Sequence, residues 1–248
     1  MRADAKKTIK RLLVAAFYLA GWEAVSLLVG KAYLVPAPLD TLMRFFELLL
    51  DGQSWIRAGM TLLRVTAGYA LGVALGVLLA MLCAKVPAAD TLLSPLRSVV
   101  KATPVTSIIL LAILFLTSGT VPVFIAFLMV LPIVWANTFS AIRDVDAGLI
   151  EMSHAFGFTK WKRLRFVYAP AVQPALLSAC TTALGFAWKS GVAAEILSLP
   201  KQSVGYMLYE SKLTLETLDL FAWTLLVILL SMGIEALVKG LLRRLRHD

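Results

Sequence analysis

The chain has 248 residues, of which 60% are apolar and only 16% are charged, and its mean hydropathy is +0.83. Soluble domains usually contain about 25% charged residues, so this composition excludes an ordinary soluble protein and indicates an integral membrane protein. The formal net charge is +9. Because the basic residues lie in short segments beside apolar runs, we attribute this charge to membrane topology rather than to nucleic-acid binding.

Six apolar runs are candidates for membrane-spanning helices, since a bilayer core of about 30 Å needs roughly 20 apolar residues. In chain order they are 9–30, 58–84, 104–117, 120–142, 166–188 and 219–240. The third run is short and begins at Pro104, so we expect it to extend back into 88–103 with a kink at the proline. The sequence therefore predicts an all-α, polytopic membrane protein with about six transmembrane helices.

The distribution of Lys and Arg predicts the orientation of these spans. When both termini are placed in the cytoplasm, most of the 24 basic residues fall in inner segments, as the positive-inside rule requires. The predicted organisation is then a transmembrane helix at 1–30, a periplasmic loop at 31–57, a core at 58–240 and a basic cytoplasmic tail at 241–248. The core contains a cytoplasmic loop at 143–165. No cleavable signal peptide is predicted, because no small-residue cleavage site closes the first apolar run.

Two local patterns have more than one interpretation. Residues 36–52 predict a short amphipathic helix, which either lies at the outer membrane interface or serves as a packing elbow, and we favour the elbow. Gly68, Gly72 and Gly76 recur every four residues on one helix face, which lets another helix approach closely. We favour packing within the chain over a subunit interface for this face.

No catalytic or metal-binding constellation is present in the sequence. Cys83 and Cys180 lie in apolar runs and are expected to be buried thiols rather than a disulfide. With only His154 and His247 in the chain, no metal site is expected, and no cofactor is predicted. The P-loop pattern GxxxxGK[ST] is absent, so we do not expect the chain to be an enzyme or to hydrolyse ATP itself.

The segment 146–174 is polar and basic, and it is set between apolar runs. Its pattern predicts two short helices separated by a glycine. Asp146 can cap the first helix, Gly157 can end it in a left-handed conformation, and Thr159 can cap a second helix that begins at Lys160. A helix-turn-helix between spans is suited to binding another protein rather than to crossing the lipid bilayer.

This pattern resembles the cytoplasmic EAA loop of ABC-importer permeases, the binding-protein-dependent inner-membrane component family. Glu151 matches the Glu of the motif, Met152 and Ser153 replace its two alanines, Gly157 falls at its glycine, and Pro170 matches its proline. In the family this loop is the coupling helix, which docks in a groove of the ATPase. The resemblance therefore implies ATPase coupling by the segment that contains Glu151, Met152, Ser153, His154, Ala155, Gly157, Phe158, Lys160 and Pro170.

Residues 34–42 and 61–80 also resemble the family, in the segment before its first core span and in that span. The resemblance thus covers roughly 34–240, and it is strongest to permeases for sulfonates, taurine, nitrate and pyrimidine-type vitamin precursors. It implies a permease subunit of an ATP-driven importer, in the bacterial inner membrane, which moves a small anionic or heterocyclic solute by alternating access. The implied partners are ABC ATPase subunits, a second permease chain (identical or paralogous), an extracytoplasmic solute-binding protein and membrane lipids, and no nucleic acid.

A candidate translocation path comprises the polar or aromatic residues Thr103, Asn137, Trp188, Lys189 and Glu195. Ionisable groups near membrane depth are energetically expensive, so they are candidates for function. Lys189 could attract an anion, and Glu195 could neutralise it if the chain turns between them. The alternatives are a structural ion pair or snorkelling for Lys189, and a helix–helix hydrogen bond for Asn137, and we favour these alternatives.

Two other functions fit a polytopic chain of this size. A lipid-modifying membrane enzyme would need clustered catalytic side chains at one membrane face, which the sequence lacks. A channel or scaffold without energy coupling would not need the capped helix-glycine-helix loop.

Overall fold

The part of the chain that the structure describes is mostly helical and contains no strands. The computed structural model describes residues 2–31 and 33–245, and residues 246–248 of the predicted basic tail lie outside it. The helices are α1 Arg2–Val29, α2 Pro38–Leu50, α3 Gly52–Lys85, α4 Pro87–Ala102, α5 Val105–Phe115, α6 Val121–Arg143, α7 Ala147–Ala155, α8 Lys160–Arg163, α9 Ala169–Ser198, α10 Val204–Leu213 and α11 Thr217–Leu245. A π-helical turn, Leu164–Tyr168, joins α8 to α9. The all-α prediction is confirmed.

The core of the fold lies where α6 packs against both α3 and α9. Its centre is formed by valines and alanines of these three helices, with Trp223 of α11 fully buried beside them. Small and β-branched side chains let helices approach closely in a membrane, where dispersion contacts rather than water exclusion hold helices together.

The glycine face of α3 packs within the chain, against α6. A Cβ atom added at Gly72 would lie 2.7 Å from the Cβ of Val130, and one added at Gly76 would lie 3.0 Å from the Cβ of Val134. At Gly68 the added atom would meet the backbone of α6 itself. These positions have no room for a side chain, so the favoured interpretation of the glycine repeat is confirmed.

Three of the described helices are long and apolar enough to cross a membrane: α3, α6 and the Thr217–Gly240 part of α11. Leu13–Val29 of α1 is a shorter apolar helix, and α9 has 30 residues but does not reach the same apolarity. Three of the six predicted spans therefore correspond to described helices that have the length and apolarity of a span by themselves.

The predicted third span, 104–117, forms a helix, α5, that is too short to cross a membrane by itself. α5 has only 11 residues, or about 16 Å, which is half of a bilayer core. The expected extension through α4 exists, but α4 and α5 meet at 101° and form a bent pair. The proline explains the break, because it holds Thr103 in an extended conformation (φ −77°, ψ 130°) and cannot donate a backbone hydrogen bond.

The segment 36–52 forms the predicted amphipathic helix, and one of its faces packs within the chain. α2 buries Phe45 and Leu48 and packs against α11. Arg44 fixes the contact, because its Nη2 donates to Oδ2 of Asp219 at 2.9 Å. Hydrogen bonds to the Asp219 and Glu47 carboxylates raise the pKa of the Arg44 guanidinium above its ordinary value.

The next helix begins earlier than the predicted core boundary at residue 58. Asp51 ends α2 and caps α3, since its carboxylate accepts from the backbone N–H groups of Gln53 (3.1 Å) and Ser54 (3.0 Å). Gly52 is therefore the first residue of α3 rather than part of a loop, and the predicted loop 31–57 is shorter than expected.

Candidate functional site

The loop between α6 and α9 is organised around α7. Asp146 begins the helix as predicted, because its Oδ1 accepts from the backbone N–H groups of Gly148 at 2.6 Å and Leu149 at 3.3 Å. This cap satisfies two of the four amide groups that a helix start leaves without partners. The beginning of α7 is therefore fixed by a side chain next to it in the sequence.

Gly157 ends α7 in a left-handed conformation, with φ of +65°. The N–H of Phe158 donates to the carbonyl of Ser153 at 2.9 Å, and the N–H of Gly157 donates to the carbonyl of His154 at 2.9 Å. This pair of bonds is the Schellman motif, which favours glycine at this position. The turn at Gly157 follows the prediction.

A second short helix follows the turn and closes the loop onto α7. Thr159 caps α8, with its Oγ1 accepting from the N–H of Lys162 at 3.4 Å. Arg163 then reaches back to α7, where its Nη2 lies 3.1 Å from Nδ1 of His154. The rings of Phe158 and Phe166 meet edge to face. These contacts hold the two helices of the loop as one unit.

Most of the predicted coupling residues are exposed on this unit or, for Pro170, at the start of α9. Exposed members of the set are Glu151, Met152, His154, Ala155, Gly157, Lys160 and Pro170, while Phe158 is half-buried. Ser153 is the exception, because it is buried and its hydroxyl donates to the carbonyl of Ile150 at 2.7 Å. Ser153 therefore supports the loop from within.

Sequence reasoning named Met152 but missed the exposed apolar face to which it belongs, on α7 and its C-cap residue Phe156. Leu149, Met152 and Phe156 lie at positions i, i+3 and i+7, which share one side of a helix, and Phe156 is 74% exposed. Large apolar side chains exposed on a polar loop indicate a contact surface. The helical spacing of these residues in the sequence was a signal that could have identified them.

The predicted translocation residues do not form one cluster. Asn137 of α6 and Lys189 of α9 are exposed, and the amide of Asn137 donates to the carbonyl of Ile133 at 2.7 Å within its own helix. Thr103 is half-buried at the break between α4 and α5. Trp188 is buried in the core, and its Nε1 finds no partner among the described residues.

Glu195 is fully buried, and the suggested neutralisation of Lys189 by Glu195 is wrong. The chain does not turn after Lys189, because α9 continues to Ser198. Two residues six positions apart on a helix point to different sides. Glu195 instead lies 3.1 Å from Nη1 of Arg64 on α3.

Other donors complete the environment of the Glu195 carboxylate. Oε2 accepts from the hydroxyl of Thr61 at 2.8 Å and from the backbone N–H of Gly205 at 3.3 Å. Arg64 also donates to the carbonyl of Gln202 at 2.7 Å. We call this set, Thr61, Arg64, Glu195, Gln202 and Gly205, the outer lock, because the orientation predicted from the sequence puts this end of α9 on the outer side. The outer lock joins α3, α9 and the start of α10. Glu195 therefore has a structural role and does not line an open path.

Comparison with known sequences identifies the family. Residues 72–247 match the family model described as the binding-protein-dependent transport system inner membrane component. The riboflavin transport system permease protein RibX of Chloroflexus aurantiacus (strain ATCC 29366 / DSM 635 / J-10-fl) is 31% identical, covering 90% of this chain and 84% of its own. A protein of Bacillus subtilis (strain 168) named as an aliphatic sulfonates transport permease, SsuC, is 28% identical, covering 96% and 86%.

Two solved structures share the fold. A crystal structure of an amino acid ABC transporter with histidines has a TM-score of 0.62 at 17% identity, covering 83% of this chain and 96% of that chain. The MetNI methionine ABC transporter in an inward-facing conformation has a TM-score of 0.61 at 19% identity, covering 79% and 95%. Neither the lipid-modifying enzyme nor the uncoupled channel is favoured by these matches. The chain belongs to the family of inner-membrane permease components of binding-protein-dependent ABC transporters.

Proposed function

We propose that α7 and its Schellman turn are the surface by which this permease binds an ABC ATPase subunit. The exposed apolar face of Leu149, Met152 and Phe156 is the observation that carries the proposal. The loop is rigid enough to transmit force, since caps at both ends of α7 and the Arg163–His154 contact fix its shape. ATP-driven closure of two ATPase subunits would move the loop and tilt the spans, giving alternating access.

The orientation that this role requires has both termini and the 143–165 loop in the cytoplasm. The supporting observation is the distribution of basic residues, because the loop exposes Lys160, Lys162 and Arg165. This cluster would also contact lipid phosphates at the inner membrane surface. The outer lock would then lie towards the periplasm, together with α2 and the loop before α10.

A complete pathway requires a second permease chain, identical or paralogous. One chain exposes Asn137 and Lys189 on neighbouring helices of the core, and these residues would line the pathway when a partner faces them. α1 supports the same assembly, because it packs mainly on α2 and exposes large apolar residues such as Phe17 and Leu28. Surrounding lipid would cover the rest of this surface.

The transported solute is proposed to be small and either anionic or heterocyclic. The names of the relatives support this class, since one is named for aliphatic sulfonates and the other for riboflavin. The exposed cation of Lys189 is suited to an anion. An extracytoplasmic solute-binding protein would deliver the solute and would set most of the selectivity.

Substitution of Phe156 by Asp tests the coupling surface. We expect the amount of ATPase that co-purifies with the tagged permease from detergent-solubilised membranes to fall at least about tenfold, because a charge would replace a central apolar anchor. Deletion of residues 151–158 should abolish co-purification. The matched control is Leu213→Asp, which changes a residue that is 63% exposed on α10. Retention of the ATPase by Phe156→Asp, or its loss in Leu213→Asp, would contradict the proposal.

A further inference from the structure

A cavity of about 800 Å³ lies beside the loop, between three elements of the core. Its walls are the last turns of α3, the last turns of α6, and the π-helical turn with the start of α9. A cavity of this size is within the range of ligand-binding sites. π-helical segments of this kind are frequent at functional sites.

The cavity is apolar inside and cationic where it opens. Val77, Ile142 and Leu176 contribute to its apolar wall. Lys85 and Arg165 also line it, and both are exposed, so they lie at its mouth. Among the described residues, none of the lining side chains is acidic, and neither Lys85 nor Arg165 has an ion-pair partner.

An unpartnered hydroxyl in the cavity wall provides a second observation. Thr138 lines the cavity and is only 2% exposed, and its Oγ1 has no hydrogen-bond partner among the described residues. Buried hydroxyl groups are normally hydrogen-bonded. The combination of an apolar interior, one free hydroxyl and a cationic mouth is complementary to an amphiphile with an anionic head.

We propose that this cavity binds an anionic phospholipid of the membrane. The phosphate group pairs with Lys85 and Arg165, the ester region lies within reach of Thr138, and one acyl chain fills the apolar part. In the orientation proposed above, on which this assignment of leaflet rests, the lipid comes from the cytoplasmic leaflet, where basic pockets between helices bind head groups. Because the π-helical turn carries Arg165 and leads directly from α8, the bound lipid contacts the segment that connects the loop to α9.

Native mass spectrometry of the detergent-purified full chain tests this site. Dioleoyl phosphatidylglycerol is expected to bind the wild type more tightly than dioleoyl phosphatidylcholine. Lys85→Gln and Arg165→Gln are each expected to weaken phosphatidylglycerol binding about fivefold, the loss expected for one basic contact near a membrane surface. Val77→Phe, which fills the cavity without changing its charge, is expected to weaken binding of the lipid as well.

Two exposed lysines distant from the cavity provide the control pair. Lys201→Gln and Lys212→Gln should bind phosphatidylglycerol like the wild type.

Three outcomes would overturn the proposal. The first is equal affinity for the two lipids, or unchanged phosphatidylglycerol binding when Lys85→Gln and Arg165→Gln are combined in one variant. Competition by free glycerol phosphate at equal concentration would show a simple anion site and would also overturn it. Lipid adducts on monomers but never on dimers would show that a second copy covers the cavity, with the same consequence. No ATPase is present in this experiment, so failure of the coupling assignment leaves its result unchanged.

Discussion

The loop between α6 and α9 and the outer lock are held together in opposite ways. In the loop, Asp146 caps the helix that begins at the next residue, and Gly157 ends that helix through bonds to the residues just before it. In the outer lock, Glu195 meets Thr61 and Arg64, which are more than 130 positions away in the chain. Local contacts shape a unit that exposes its surface, whereas long-range contacts join three helices and bury their polar groups.

This difference separates two tasks. In the proposed function, the loop binds a moving ATPase, which requires that it keep its own shape while its surface remains free. A contact between spans lies in a medium that offers no water to an unpaired charge. All of the polar groups in such a contact therefore need protein partners. If the proposed function holds, substitutions in the outer lock should destabilise the fold, and substitutions in the loop should weaken binding of the ATPase.

The largest effect is expected from Glu195→Ala. This change leaves Arg64 largely buried without its counter-ion, and it removes the acceptor of Thr61 and Gly205. Breaking one partner of a buried pair costs about 3–5 kcal/mol. The free energy of unfolding in detergent, measured by thermal or denaturant titration, should fall by that amount.

The control for this substitution is Glu216→Ala, at an exposed carboxylate after α10, which should change stability by less than about 0.5 kcal/mol. Coupling between the members of the lock is measured by the cycle that combines Glu195→Gln with Arg64→Gln. Additive effects of these two changes would show that the ion pair does not act as a unit.

Gly157→Val should have a smaller effect on stability and a large effect on transport. A β-branched residue in the left-handed region costs about 1–2 kcal/mol, so the chain still folds and inserts while the turn after α7 is distorted. Uptake and co-purification of the ATPase should both drop, with the Tm of the permease nearly retained.

Gly119→Val is the matched control, since Gly119 has open space around it and lacks a positive φ. Wild-type uptake by Gly157→Val would refute the role of the left-handed turn. Equal losses of uptake in both variants would show a general intolerance of valine rather than a specific requirement at the loop.

Asp146→Ala should have the smallest effect. Loss of this cap costs about 1 kcal/mol and acts on α7 alone. Amide hydrogen exchange within α7 should accelerate about fivefold, with exchange in α3 and α9 unchanged. Asp146→Asn retains a capping oxygen and should exchange like the wild type, so acceleration in both variants would point to charge rather than capping.

Sequence patterns predicted what is determined locally. The caps at Asp146 and Thr159, the end of α7 at Gly157, and the helical structure of α2 all follow from residues within one or two turns of each other. The close packing of α3 was also predictable, because the glycine repeat requires a neighbouring backbone whichever helix supplies it.

The remaining features depend on which helices meet in space. The pairing of Glu195 with Arg64 is not evident in a sequence that places Lys189 much closer to Glu195. The burial of Trp188 follows from the rotation of α9 in the bundle, which a uniformly apolar segment does not reveal. Pro104 predicts only a kink, whereas the sharp angle between α4 and α5 depends on tertiary packing as well.

Accessibility of position 162 tests the central claim most directly. Lys162 is exposed in the loop and Lys201 is exposed beyond the end of α9, while the native Cys83 and Cys180 are both buried and are replaced by alanine. A membrane-impermeant maleimide should label Lys162→Cys only in inverted membrane vesicles, where bound ATPase should protect it, and should label Lys201→Cys only in intact cells. Labelling of Lys162→Cys from outside intact cells would place the loop in the periplasm and would contradict its role in binding the ATPase.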